Sequence, residues 1–353
     1  MAPVVRALKA RPDIETTVWS TGQHREMLAQ VLDLFEITAD RDLAVMQPDQ
    51  TLNGLFSRVL GRMDEVFAEE RPDRVLVHGD TTTAAAAATA AFHRGVPVGH
   101  VEAGLRSGHM DKPWPEEFNR RVVDLVADHL YAPTVSARDN LLKENLGERH
   151  IVVTGNTVVD ALLHVKGRID NEPELAGQLA AKFPQLDPAR RLVLVTGHRR
   201  ENFGDGFLNI CQALQEISLD PDVQVLYPVH LNPNVQRPVL ELLADRPNIS
   251  LIDPVDYLSF VYLMGRSTVI LTDSGGVQEE APSLGKPVLV MREVTERPEA
   301  VDAGVVRLVG ARCENIVRSV RETLAEPSRA EIANPYGDGQ AAARIVREIV
   351  SGS

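Results

Sequence analysis

The stretch Leu271-Thr272-Asp273-Ser274-Gly275-Gly276-Val277-Gln278-Glu279-Glu280 gathers residue types that can hold a phosphate. The apolar run Thr268–Leu271 predicts a buried strand, Gly275-Gly276 a tight exit turn and Val277–Leu284 a helix. Unpaired N–H groups and the positive end of the helix dipole meet at such a start, and glycines let an anion come close. Glu280 falls four residues past Gly276, where a carboxylate can accept hydrogen bonds from ribose hydroxyls. Together these features suit a nucleotide carrying a sugar, although a Ser-Gly-Gly turn alone is common. Four more polar residues follow predicted strands: Asp80 after Arg74–His78, Glu102 after Pro97–Val101, His198 after Leu192–Val195 and His230 after Val223–Tyr227. Doubly wound sheets bind ligands outside the carboxyl ends of their strands, so this placement points to a site. Each residue also has a plain structural reading. Asp80 before Thr81-Thr82-Thr83 suits a helix N-cap, His198 a satisfied core histidine, and His230 a surface one.

The elements that must position these residues alternate along the whole chain. Further strands are predicted at Thr16–Ser20, Ile151–Thr154, Ile249–Ile252, Pro287–Met291 and Val305–Val309. Between strands lie helical patterns such as Thr51–Glu70, with Leu55, Phe56, Val59, Leu60, Met63, Val66 and Phe67 on one stripe. The alanine run at 84–88 reads as a good helix. Alternation of this kind predicts an α/β protein with parallel sheets covered by helices on both faces. The polar, turn-rich stretch Gly167–Arg190 is the expected boundary between two doubly wound halves of similar size facing a cleft.

At 353 residues the chain is long enough for two ordinary domains. Hydrophobic residues at 44% and charged residues at 25% fit a soluble globular protein. A net charge of −13 argues against a general nucleic-acid binder. Apolar stretches such as Ala84–Phe92 are too short and alanine-rich to cross a bilayer, and Met1–Ala10 lacks the apolar core of a signal peptide. The two cysteines, Cys211 and Cys313, have no metal-ligand spacing, and free thiols suit the cytoplasm. Asp80, Asp273 and the histidines are scattered over separate strand exits, so no metal is expected.

Longer motifs then identify a resemblance. Val77-His78-Gly79-Asp80-Thr81-Thr82-Thr83, Gly99-His100-Val101-Glu102-Ala103-Gly104-Leu105-Arg106, Pro113-Trp114-Pro115-Glu116-Glu117-Phe118-Asn119-Arg120 and Thr154-Gly155-Asn156-Thr157-Val158-Val159-Asp160 carry it in the first half. Thr196–Glu201, Pro228–Asn234, the Ser274-Gly275-Gly276 stretch, Thr295–Ala300 and Asn334–Gly339 continue it. From Met1 to about Ala343 the chain resembles the non-hydrolysing UDP-N-acetylglucosamine 2-epimerases. The resemblance implies two Rossmann-like domains in the arrangement of one large class of glycosyltransferases (GT-B-like), usually as a homodimer. The corresponding spans are 1–168, 169–335 and a C-terminal helical segment, 336–353, packing back on the first domain.

It also implies the chemistry. The C2 hydrogen of the sugar is too weakly acidic for direct removal, so UDP is eliminated first, a glycal forms, and re-addition of UDP and a proton gives the manno epimer. That route needs a cradle for the diphosphate, carboxylates that move protons and retention of the intermediate. By resemblance Asp80, Glu102 and Glu116 are the acid–base carboxylates, their individual roles open, with His198 near the diphosphate or sugar. Glu116 also suits a plain first-turn helix carboxylate. Ser274, Gly275, Gly276 and Arg297 would hold the phosphates, Glu280 the ribose, and Phe260 and the backbone at Val255 the uracil. Gln23, His24, Gln50, Arg199 and His230 match a second substrate site that activates some members, although Gln23–Met27 also reads as an ordinary helix start. No organic cofactor is implied.

One departure stands out. Family members begin with a strand, then Gly-Thr-Arg-Pro-Glu and a helix with an early lysine; this chain starts at Met1-Ala2-Pro3. The resemblance therefore implies a native start further upstream. As it stands the chain is expected to expose unpaired strand edges and to lack two cations at the leaving group, each donor there worth about 2.7–4 kcal/mol. Poor stability and weak or no activity would follow, and equal activity in an upstream-extended chain would refute that. The rival readings are a hydrolysing 2-epimerase that frees UDP and N-acetylmannosamine, a glycosyltransferase, and a non-catalytic nucleotide-sugar-binding module.

Overall fold

Strands of four to six residues separated by helices can pair only in parallel when each connection crosses over the sheet, and that pattern governs both halves of this chain. The computed structural model describes residues 1–22, 25–47, 49–146, 149–295, 297–326 and 333–352. They form two units, Met1–Ala161 with Gly337–Ser353, and Leu162–Tyr336.

The first unit holds β1 (Trp19–Ser20), β2 (Arg41–Asp42), β3 (Val75–His78), β4 (Val98–Val101), β5 (His129–Ala132) and β6 (His150–Val153). β3 to β6 make a parallel sheet in consecutive order, while β1 and β2 pair separately. Two of these strands, β2 and β5, were not foreseen from the sequence. β5 follows the Glu116–Val126 helix after two residues only, Ala127 and Asp128, with no glycine or proline to mark the change of period.

The alanine-rich helix, Thr82–His93, has Ala85, Ala86, Ala88 and Ala91 fully buried. It packs against two neighbours, Leu52–Glu70 and Glu116–Val126. Alanine therefore serves close packing there as well as helix propensity. Leu52–Glu70 starts one residue later than expected because Thr51 is its cap, accepting from the Gly54 amide at 3.1 Å. On the opposite sheet face, the Ala2–Lys9 and Ala341–Ser351 helices bury Val4, Leu8, Ile345 and Val346 against Val101 and Tyr131.

The second unit holds β7 (Arg191–Thr196), β8 (Val223–Pro228), β9 (Ile249–Ile252), β10 (Val269–Thr272), β11 (Val288–Val290) and β12 (Val306–Leu308). All are parallel, in the order β12-β11-β10-β7-β8-β9. The winding direction reverses between β7 and β10, which lie side by side in register from Val193↔Val269 to Thr196↔Thr272. That reversal creates the crevice at which open α/β sheets bind ligands. Val193, Val195, Val225, Tyr227, Val269 and Leu271 anchor the core beneath it. Both units are thus Rossmann-like α/β folds. Among the described residues no helix is long and apolar enough to cross a membrane.

Candidate active site

In the first unit Asp80 leaves β3 and Glu102 leaves the adjacent β4. Asp80 is not the helix cap: Thr81 takes that role, accepting from the Ala84 amide at 3.1 Å. The Asp80 carboxylate instead pairs with Arg120, and its carbonyl accepts from Asn119 Nδ2 at 2.9 Å. Glu102 has φ of +72°, a left-handed conformation that L side chains rarely adopt and that concentrates at functional sites. Asn156 Nδ2 donates to Glu102 Oε1 at 3.2 Å. Glu102 Oε2 lies 3.2 Å from where a Cβ on Gly79 would stand, so any larger residue there would press on the carboxylate beside Asp80. Glu116 is half-buried in the first turn of the Glu116–Val126 helix, where the dipole favours its charge. Its neighbour Glu117 is fully buried and has the structural task, accepting from Ser107 N and Arg121.

In the second unit His198 follows β7, and Asp273 follows β10 beside it. Asp273 is completely buried and accepts from the amides of His198 (3.0 Å) and Arg199 (2.9 Å) and from Asn202 Nδ2 (3.3 Å). It thereby fixes the loop that carries His198. The His198 ring stacks on His230 at 5.4 Å between centroids. Burial lowers the proton affinity of His198, Asp273 opposes that, and Arg199 and His230 add to it; the balance favours the neutral ring. His230 Nδ1 accepts from the Asn232 amide at 3.0 Å, which places the hydrogen of a neutral ring on Nε2.

Gly275 and Gly276 prove to be the first residues of a helix, Gly275–Glu280, rather than an exit turn. Ser274 is the N-cap residue, and Ala281–Leu284 continues as a 3₁₀ segment. The sequence signal was misread because glycine serves close approach here, not left-handed backbone. A Cβ on Gly275 would lie 3.2 Å from the Arg297 guanidinium carbon. Arg297 is thus laid along the helix start, its Nε donating to Glu279 Oε1 at 2.7 Å. Burial pushes the Glu279 carboxyl up, and Arg297 counters this.

Glu280 accepts from Tyr257 Oη at 2.6 Å, and burial pushes its carboxyl up to about 7. Tyr257 opens the Tyr257–Arg266 helix, whose N-terminal end also holds the half-buried Phe260, with Val255 just before its cap Asp256. The structure therefore links Glu280, Val255 and Phe260 through Tyr257, a residue sequence reasoning passed over. Gln50 lies in the first unit, tied to Arg58 and accepting from the Gln47 amide. Gln23 and His24 lie outside the described residues. Among the described residues no group of three or more His, Cys, Asp or Glu could hold a metal ion.

The chain is similar to known proteins along nearly its whole length. The family model described as UDP-N-acetylglucosamine 2-epimerase matches residues 6–350. The chain is 52% identical to the UDP-N-acetylglucosamine 2-epimerase of Escherichia coli K12, over 99% of this chain and 94% of that protein. It is 48% identical to the Campylobacter jejuni protein of the same name, over 100% and 94%. The crystal structure of UDP-GlcNAc 2-epimerase from Neisseria meningitidis bound to UDP-GlcNAc superposes with a TM-score of 0.91 at 46% identity, covering 99% of this chain and 96% of that one. The Methanocaldococcus jannaschii enzyme in complex with UDP-GlcNAc and UDP gives 0.82 at 33%, covering 99% and 96%.

Proposed function

The chain belongs to the UDP-N-acetylglucosamine 2-epimerase family, and we propose that it interconverts UDP-N-acetylglucosamine and UDP-N-acetylmannosamine. The C1–O bond to UDP breaks, its electron pair leaving with the diphosphate. A carboxylate of the first unit takes the C2 proton and the C1–C2 double bond of a glycal forms. Addition of a proton to C2 from the other face and of UDP to C1 completes the inversion. Asp80, Glu102 and Glu116 would carry the protons. Environments that push apart the proton affinities of paired carboxylates let one serve as acid while another is base. The second unit would hold the nucleotide: Ser274, Gly275, Gly276 and Arg297 at the diphosphate, His198 beside it, Glu280 at the ribose, and Phe260 and the Val255 backbone at the uracil. Charged donors aimed at a departing diphosphate lower the barrier to its release.

The observation that carries this reading is the carboxylate of Glu102, forced into a left-handed backbone next to the Asp80 turn. A proton NMR time course in deuterated water tests it, with UDP-N-acetylglucosamine as substrate. Deuterium at C2 together with the UDP-linked manno sugar is expected. Free N-acetylmannosamine with UDP would replace the reading by the hydrolysing reaction, and binding without exchange, in this chain and in one extended upstream, would leave a sugar-nucleotide sensor. The family reading further makes the enzyme a cytoplasmic homodimer whose product feeds surface polysaccharide. Light scattering after gel filtration tests the dimer.

A further inference from the structure

Beneath the two carboxylate-bearing turns of the first unit lies a buried network that the reaction itself does not use. His100, on β4, is 0% exposed. Its Nδ1 stands 2.6 Å from Asp124 Oδ1, and its Nε2 3.0 Å from the carbonyl oxygen of Gly79. Both partners are acceptors, because a carbonyl can only accept and Asp124 is a carboxylate. Burial alone would raise the Asp124 carboxyl, but His100 and Arg106 outweigh it and hold the group below its usual range. Asp124 Oδ2 also receives the Gly104 amide at 3.2 Å and Arg106 Nη1 at 2.7 Å. Arg106 in turn grips both oxygens of Glu144, at 2.9 and 2.7 Å.

A bare lone pair on either ring nitrogen would face an oxygen lone pair at hydrogen-bonding distance, with the ring fully buried. With hydrogens on both nitrogens every contact of the ring becomes a donor–acceptor pair, and Asp124 faces two cations, His100 and Arg106. The other charged groups near the ring fit this arrangement. Burial pushes His78 well below its usual range, and His100 pushes it the same way. His78 therefore adds no second cation.

We propose that His100 is a positioning residue of the epimerase, a double hydrogen-bond donor that pins the Gly79 carbonyl to Asp124 and so sets the Asp80 turn against Glu102. The inference rests on the epimerase reading for its kinetic consequence. Two successive carbonyls, Gly79 and Asp80, are held by side chains, the first by His100 and the second by Asn119. Arg120 holds the Asp80 carboxylate, and Asn119, Arg120 and Asp124 all come from the Glu116–Val126 helix. His100 also sits two residues before Glu102 on the same strand exit, so loss of its bridge loosens both carboxylates together.

The test uses the full chain and its variants His100→Gln and Asp124→Asn. A misplaced general acid or base lowers turnover while ground-state binding persists, so turnover should fall by about 100-fold with KM for UDP-N-acetylglucosamine changed by less than about threefold. UDP affinity, set in the second unit, should stay unchanged. Unchanged turnover, or a loss of UDP affinity that parallels lost thermal stability, would overturn the proposal. Histidine labelled with ¹⁵N decides the bridge directly in the unmodified protein, assigned by the signal missing from His100→Gln or, if that variant does not fold, by selective through-bond correlation. Hydrogens on both His100 nitrogens at neutral pH are expected, and a neutral single tautomer refutes the double donor. If neither the unmodified protein nor an upstream-extended chain turns over substrate, the epimerase reading falls, while the labelled spectrum still decides the bridge.

Discussion

Under the proposed function Glu280 is the carboxylate that meets the ribose. Tyr257 occupies one of its oxygens at 2.6 Å, and burial pushes its carboxyl up to about 7. Ribose hydroxyls donate to the ionised form, so binding must favour loss of the proton. Affinity for uridine, which brings no phosphate to titrate, should therefore fall as pH drops through about 7. Between pH 8 and pH 6 the weakening should be about tenfold, the change in ionised fraction across a pKa in that range. Calorimetry in two buffers of different ionisation enthalpy would register the released proton, and Glu280→Gln should flatten the profile. A pH-independent affinity in the unmodified protein would remove Glu280 from the ribose contact. The residue itself was legible in the sequence, since a fixed step past a glycine pair puts it one helical turn on. Tyr257 was not, because nothing local to positions 257 and 280 says that the two side chains meet. The same holds for Asn119 and Asn156, whose partners Asp80 and Glu102 are 39 and 54 positions away.

At the scale of the element, strand exits were legible and helix faces were not. Apolar runs bounded by polar residues gave β3, β4, β7, β8 and β10 to within a residue or two, and with them the places of Asp80, Glu102 and His198. The Glu116–Val126 helix carries an inward polar set, Glu117, Asn119 and Asp124, each at most 3% exposed. Hydrophobic periodicity alone would turn such residues toward water, because the signal assumes that buried means apolar. The Ala341–Ser351 helix makes the converse point. Its N-cap Gln340 gives no side-chain bond; Asp160, from the Thr157–Asn171 helix, accepts from the amides of Ala341 (3.2 Å) and Ala342 (2.8 Å) instead. Asp160 acts as a cap supplied from 181 positions away, and its charge also suits the positive end of the dipole. Asp160→Ala should cost about 1–2 kcal/mol, as loss of a good cap does. Hydrogen exchange would show the loss as faster exchange confined to the Ala341–Ser351 helix. Protection lost uniformly across the first unit would mean that Asp160 supports its core rather than this helix.

At the scale of the whole molecule, one construction principle recurs in both units. A fully buried aspartate seats a loop of the candidate site, Asp124 through His100 in the first unit and Asp273 through backbone amides in the second. The labour differs: carboxylates gather in the first unit, and the glycine-led helix start with Arg297 in the second. Substitutions in the two should then damage different steps. Arg297→Lys keeps a cation beside the buried Glu279 and avoids the roughly 3–5 kcal/mol penalty of leaving a buried charge unpaired. It gives up the planar fork that grips a phosphate, so UDP affinity should fall by about tenfold with thermal stability retained. Asp80→Asn should leave UDP affinity intact and slow C2 exchange by about 10²–10⁴-fold, the usual contribution of a positioned acid or base. Arg120 would still have Glu117 as a partner, so the first unit should stay folded. In the double variant the two effects should simply combine, because the residues lie in separate units and act on separate steps. Titration of UDP by calorimetry and deuterium uptake at C2 by NMR read the two quantities independently. A coupling energy above about 1 kcal/mol would show that nucleotide binding and proton transfer are set by one shared network instead.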